Sequence, residues 1–104
     1  MAKSIRARAT LKGDTVTVKS LITHVMETGL RKDEKTGDKI PAHYIQEVTC
    51  EHNGKEVVLA QWGPAVSKNP YLSYEFTGGK SGDDVSISWV DNKGEKDSLT
   101  VQVK

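Results

Sequence analysis

The side chains able to do chemistry in this sequence are few: Cys50, the three histidines His24, His43 and His52, and scattered carboxylates. Cys50 and His52 are two residues apart in an alternating segment, so they share one face of a strand. Two residues rise about 6.5 Å along a strand, which sets thiol and imidazole side by side. A nucleophile and its base must instead lie within hydrogen-bond reach. Cys50 reads more simply as a small core residue, since free cysteine is among the most buried types. His52, beside Asn53-Gly54, reads as an exposed turn residue. A metal centre would draw on the histidines, Cys50 and a few carboxylates, but no pair has C-x2-C or H-x3-H spacing. His24 with Met26 could hold a soft ion, yet the chain has 2 methionines and one is Met1, so a polar loop position is the simpler reading. Gly78-Gly79-Lys80-Ser81-Gly82 lacks both the spacing of a phosphate loop and a following helix, and is a flexible strand connection. The residues themselves predict neither a catalytic group nor a metal site.

The elements that carry these residues are strands. Ile5, Ala7, Ala9 and Leu11 alternate with polar neighbours, and so do Val16, Val18, Ser20 and Ile22; period-two alternation marks half-buried strands. Lys12-Gly13-Asp14 joins them by turn chemistry. A third strand is expected from His43 to Glu51, with Ile45, Val48 and Cys50 apolar. Asn53-Gly54, a hairpin signal, leads to a fourth from Glu56 to Trp62. The fifth covers Tyr71 to Thr77, with Leu72, Tyr74 and Phe76 on one face. The sixth is Val85 to Trp89, and the seventh carries Leu99, Val101 and Val103 after the Asp91-Asn92-Lys93-Gly94 turn. Trp89 is expected in the core, while Trp62 and Tyr71 fit either core or interface. About seven antiparallel strands with turns at this spacing predict an all-β, immunoglobulin-like β-sandwich in one domain over residues 1–104, without the Cys–Trp–Cys framework of antibody domains.

Composition excludes several classes. No apolar run approaches the ~20 residues of a membrane span, and no secretory h-region follows Met1. The 1 cysteine forbids an internal disulfide. The formal net charge of +1 argues against a general nucleic-acid binder. The charge is unevenly placed: residues 1–32 carry a net of +5 and the remainder a net of −4. Such asymmetry can steer an oppositely charged partner; solvated strand faces are the plainer explanation for Lys3, Arg6, Arg8, Lys12 and Lys19.

One segment breaks the strand rhythm. Thr23 to Pro41 is longer than the 12–15 residues beyond which connections in compact domains become uncommon and usually functional or disordered. Its tip, Lys32 to Lys39, is charged and reads as an exposed hairpin end. Its base carries Val25, Met26 and Leu30, which a disordered linker would avoid. If each strand crosses the sandwich once, the turns at Gly13, Asn53-Gly54 and Gly78–Gly82 lie at one end. The long connection, Gly63 to Pro70 and Asp91 to Gly94 then gather at the other, as binding loops do on immunoglobulin-like scaffolds.

His24-Val25-Met26-Glu27-Thr28-Gly29-Leu30-Arg31-Lys32-Asp33, continuing to Ile40-Pro41 and Tyr44-Ile45, resembles the signature stretch of the SoxZ family. Asn53-Gly54-Lys55, Val66-Ser67-Lys68-Asn69-Pro70-Tyr71 and Trp89-Val90-Asp91-Asn92-Lys93-Gly94 extend the resemblance over nearly the whole chain. Val25 departs from it, since many members carry proline after the histidine. The resemblance implies a non-catalytic immunoglobulin-like subunit of the bacterial sulfur-oxidising Sox system that needs no cofactor. It implies a heterodimer with SoxY, whose Gly-rich tail carries sulfur intermediates of thiosulfate oxidation on a cysteine, and transient encounters with the other Sox enzymes. No nucleic acid or membrane is implied. This chain ends in strand residues rather than a cysteine tail, as expected of the non-carrier subunit. Its missing signal peptide fits periplasmic export in complex with SoxY. By position, His24, Met26, Glu27, Gly29, Arg31, Lys32, Asn69, Pro70 and Tyr71 are the expected partner-binding residues, with Met26 and Tyr71 as apolar anchors and Arg31 and Lys32 facing anions. A generic immunoglobulin-like binding module and a thiol enzyme using Cys50 are the alternatives.

Overall fold

In the computed structural model, which describes residues 4–104, the alternating segments form seven strands. They are β1 (Ile5–Lys12), β2 (Thr15–Ile22), β3 (Ile45–His52), β4 (Lys55–Gln61), β5 (Tyr71–Thr77), β6 (Asp84–Asp91) and β7 (Lys96–Gln102). All pairings are antiparallel, in a three-stranded sheet of order β1-β2-β5 and a four-stranded sheet of order β4-β3-β6-β7. The expected all-β immunoglobulin-like sandwich is the observed architecture.

The apolar faces named by alternation meet between the sheets. Ile5, Ala9, Val16, Val18 and Ile22 from one sheet bury against Ile45, Val48, Cys50, Val85, Ile87 and Trp89 from the other. β3 does not keep strict period two: its buried residues step from Ile45 to Val48 to Cys50. The pairing of β3 with β6 slips between Ile45 and Glu47, and this local irregularity returns Val48 to the core face. The third strand therefore starts at Ile45 rather than the expected His43, which instead forms an isolated bridge with Glu27. Asn53 and Gly54 both have positive φ, 49° and 85°, as a type I′ hairpin requires.

The sandwich closes along one side. Leu11 N–H donates to Lys104 O at 2.9 Å and Lys104 N–H to Ala9 O at 3.1 Å, tying the C-terminus to β1. At one end, Gly78 N–H bonds Asp14 O and Asn53 N–H bonds Asp84 O, so the three short turns gather there. There His52 is half-buried rather than an exposed turn residue, since its Nε2 bonds Asp83 Oδ2 at 2.7 Å and its ring lies 4.7 Å from Phe76. The molecule measures 54 × 21 × 20 Å. An eight-residue strand spans only about 26 Å; the long connection projects well beyond the opposite end.

Candidate docking site at the loop pole

Three connections meet at that opposite end: residues 23–44, 62–70 and 92–95. The first is a two-legged arm. Glu27 and His43 exchange backbone bonds of 2.6 and 3.0 Å, Ile40 N–H donates to Arg31 O at 2.8 Å, and Lys32 bridges Lys39. At the tip, Asp33 Oδ1 accepts from Lys35 N–H and Thr36 Oγ1 from Asp38 N–H, the local side-chain turns typical of Asp and Thr. The exposed hairpin end expected over Lys32 to Lys39 is present. Gly29 has φ +86° and a Cβ there would lie 3.1 Å from the Ala42 Cβ on the opposite leg, so glycine lets the legs close.

The arm is held to the sandwich by one buried carboxylate. Asp91, at the end of β6, is 2% exposed. Its Oδ1 accepts from Lys93 N–H at 3.0 Å and Glu95 N–H at 2.9 Å, which shapes the β6–β7 turn. Its Oδ2 receives His24 Nε2 at 3.0 Å and His43 Nε2 at 2.7 Å. His43 also lies 3.3 Å from Glu95 Oε2. The His24 ring stands edge-on to His43 at 4.7 Å and to Trp89 at 5.1 Å. Burial alone would raise the carboxyl of Asp91. The bonds from His24, His43 and the backbone of Glu95 and Lys93 outweigh it and hold the group at about 2, because each stabilises the ionised form.

Two asparagines complete the clasp. Asn69, with φ +53°, accepts His24 N–H on its Oδ1 and returns its own N–H to His24 O, both at 3.0 Å. Asn92 accepts Tyr44 N–H at 2.8 Å on Oδ1 and donates from Nδ2 to Ala42 O at 2.8 Å. Both legs of the arm and the two shorter connections are thereby pinned together.

His24, His43 and Asp91 place one donor atom each within 4.8 Å of one another, the single metal-compatible group among the described residues. The hydrogen bonding of His24 decides against that use. Its Nδ1 accepts Met26 N–H at 3.1 Å, so a neutral ring carries its proton on Nε2 and offers Asp91 an N–H. A metal-binding imidazole needs the reverse, a free lone pair on the ligating nitrogen with the other nitrogen donating. The chemistry of the group is that of a structural clasp. Cys50 is no nucleophile either: it is fully buried and burial pushes its thiol up, away from the reactive thiolate.

Of the residues expected to meet a partner, the structure separates two sets. His24 and Pro70 are buried; the Pro70 carbonyl accepts Ile22 N–H at 3.0 Å. Met26 is 5% exposed, in the core cluster, with φ 48° and its Sδ 3.4 Å from Ile45 N–H. The expectation that Met26 is a surface anchor is therefore corrected: it anchors the arm to its own domain. Asn69 and Gly29 shape the loops. The outward-facing residues are Glu27 and Arg31, joined in an ion pair that lowers the carboxyl of Glu27, together with Lys32 and Tyr71, the last 60% exposed. Val25 and Leu30, 47% and 78% exposed, add apolar surface. Val25, Thr28, Arg31 and Lys68 line a shallow groove here.

Sequence reasoning missed His43, Asp91 and Asn92. The last two were expected only as a turn, and their roles exist through partners 48 to 67 residues away. For His24 and Met26 a signal was present. Burial alternates through Ile22, His24 and Met26 while Thr23 and Val25 face out, so the β2 rhythm continues past the strand's end.

The fold and pole together define an immunoglobulin-like module whose polar side chains at the pole, His24, His43, Asp91 and Asn92, bond one another and the loop backbone. Sequence comparison gives the family: residues 5–102 match the one described as Sulphur oxidation protein SoxZ. The chain belongs to the SoxZ family and is a subunit of the Sox sulfur-oxidation system. No curated protein matches it.

Proposed function

We propose that this chain is the non-catalytic half of a heterodimer with SoxY, and that the loop pole is where it helps present the partner's sulfur-bearing tail to the Sox enzymes. One observation carries the reading. The pole's chemically capable groups, His24, His43 and Asp91, bond to one another, and what they leave outside is apolar side chains among charges of both signs. Val25, Leu30 and Tyr71 are exposed there beside Arg31, Lys32 and Lys68. Aromatic and aliphatic anchors with flanking cations suit a protein interface, and the cations suit anionic sulfur species or acidic partner surface. The chain itself needs no cofactor, and its place of work is the periplasm, reached in complex with SoxY.

Co-expression of tagged SoxY with this chain tests the pairing. A stoichiometric complex is expected, and Val25→Asp with Leu30→Asp should weaken it or slow thiosulfate-dependent turnover without lowering the melting temperature. Unchanged affinity and turnover in that folded double variant would refute the role of the arm.

A further inference from the structure

The outward face of the three-stranded sheet carries a charge pattern that folding does not explain. Register places Arg8 directly opposite Lys19, and Arg6 opposite Leu21, which in turn faces Tyr71. Arg6, Arg8 and Lys19 are all exposed, and among the described residues none has an ion-pair partner. Like charges directly opposite across a strand pair oppose pairing, and an ordinary solvated face would interleave acids. The arm's tip does so: Asp33, Glu34 and Asp38 stand among Lys32, Lys35 and Lys39. On the sheet face Glu75 stands opposite Thr17, one row along from Lys19, with its Oε1 3.5 Å from Thr17 Oγ1, and at the sheet's edge Asp84 lines a depression with Arg8. The cations border Leu21 and Tyr71, 42% and 60% exposed, and Arg6, Arg8, Lys19, Leu21 and Tyr71 line one shallow depression.

We infer that this face is a second docking surface, for an extended acidic segment of a protein partner whose carboxylates meet Arg8 and Lys19 and whose apolar side chain meets Leu21 and Tyr71. Strand rows repeat every two residues, about 6.5–7 Å, so the two contacts match side chains two apart on an extended segment. Exposed arginine and tyrosine together are the composition of protein interfaces. The surface shares only Tyr71 with the loop pole and does not depend on the role proposed for the arm.

The probe is a fluorescein-labelled dodecapeptide carrying six glutamates and a central leucine, titrated with the full chain and read by anisotropy at low and physiological salt. Binding that weakens with salt, and at least about tenfold in Arg8→Glu/Lys19→Glu, is expected. Lys35→Glu/Lys39→Glu, at the exposed tip of the arm, should stay within about twofold of the unsubstituted chain. The gentler Arg8→Gln/Lys19→Gln pair, checked by its melting curve, repeats the test if charge reversal disturbs folding. The inference falls if the peptide does not bind or if the tip variant loses as much. It falls equally if a 20-base-pair DNA duplex or phosphatidylserine vesicles bind Arg8 and Lys19 more tightly than the peptide. Salt-sensitive self-association through the same residues, against the outward Glu47, Glu51 and Glu56 of the other sheet, would also overturn it.

Discussion

Replacing Asp91 with asparagine keeps the shape of the clasp and removes its charge, and the structure sets the expected cost. The carboxylate accepts four N–H groups, from His24, His43, Lys93 and Glu95. An asparagine oxygen can keep the two backbone donors, which leaves its NH2 facing two imidazole N–H groups. His43, at 19% side-chain exposure, can escape by moving its proton to Nδ1. His24 cannot, because its Nδ1 already accepts Met26 N–H; a tautomer change there orphans that amide instead. One buried donor is unpaired either way, at about 1–3 kcal/mol, and the charge-assisted part of the remaining bonds is lost as well. The total is about 3 kcal/mol, or a melting-temperature fall of roughly 10–20 °C for a domain this size. Urea unfolding at neutral pH measures it, and Trp89, packed against His24, supplies the fluorescence signal. Glu95→Gln, whose side chain is 61% exposed, should cost under about 1 kcal/mol. An Asp91→Asn variant within about 0.5 kcal/mol of the parent would show that the clasp holds nothing.

The same carboxyl predicts a pH dependence. Held at about 2 when folded against an ordinary 3.8, it stabilises the fold fully above about pH 4 and loses that contribution as pH falls toward 2; the gap between parent and Asp91→Asn in urea melts should narrow over that window. Gly79→Ala should cost about 1–3 kcal/mol by overpacking, because its Cβ would sit 2.2 Å from Val16 Cγ2, read as a lower urea midpoint. Tyr74→Phe should stay within about 1 kcal/mol of the parent in thermal melts, since the buried Tyr74 hydroxyl has only the weakly bonding Cys50 thiol to meet it and its removal deletes a poorly paired polar group. Cys50→Ser should cost about 1–3 kcal/mol of stability and leave SoxY binding intact, whereas loss of an activity would revive a thiol mechanism.

Much of the sandwich was legible because β1, β2, β5, β6 and β7 keep one face apolar at period two, a local property of each segment. β3 was less so: its slip at Ile45–Glu47 shifts the phase, and only pairing with β6 reveals where. The convergence of the loops followed from counting strand crossings. The clasp within them did not, since Asp91 acquires its role from histidines 67 and 48 residues away and nothing local to Asp91 distinguishes it from a turn aspartate. Met26 was misplaced for a different reason. Its loop position suggested a surface, while its alternation with Ile22 and His24 already put it inside.

If the pole of this SoxZ-family chain docks a partner instead of reacting, its outward apolar side chains Val25 and Leu30 must carry affinity for SoxY. Isothermal titration of purified SoxY into the parent chain and into the Val25→Asp/Leu30→Asp variant tests it most directly. One-to-one binding by the parent is expected, with at least a thirtyfold weaker complex for the variant (about 2 kcal/mol) and equal melting temperatures. No binding by the parent, or equal affinity for both chains, would contradict it.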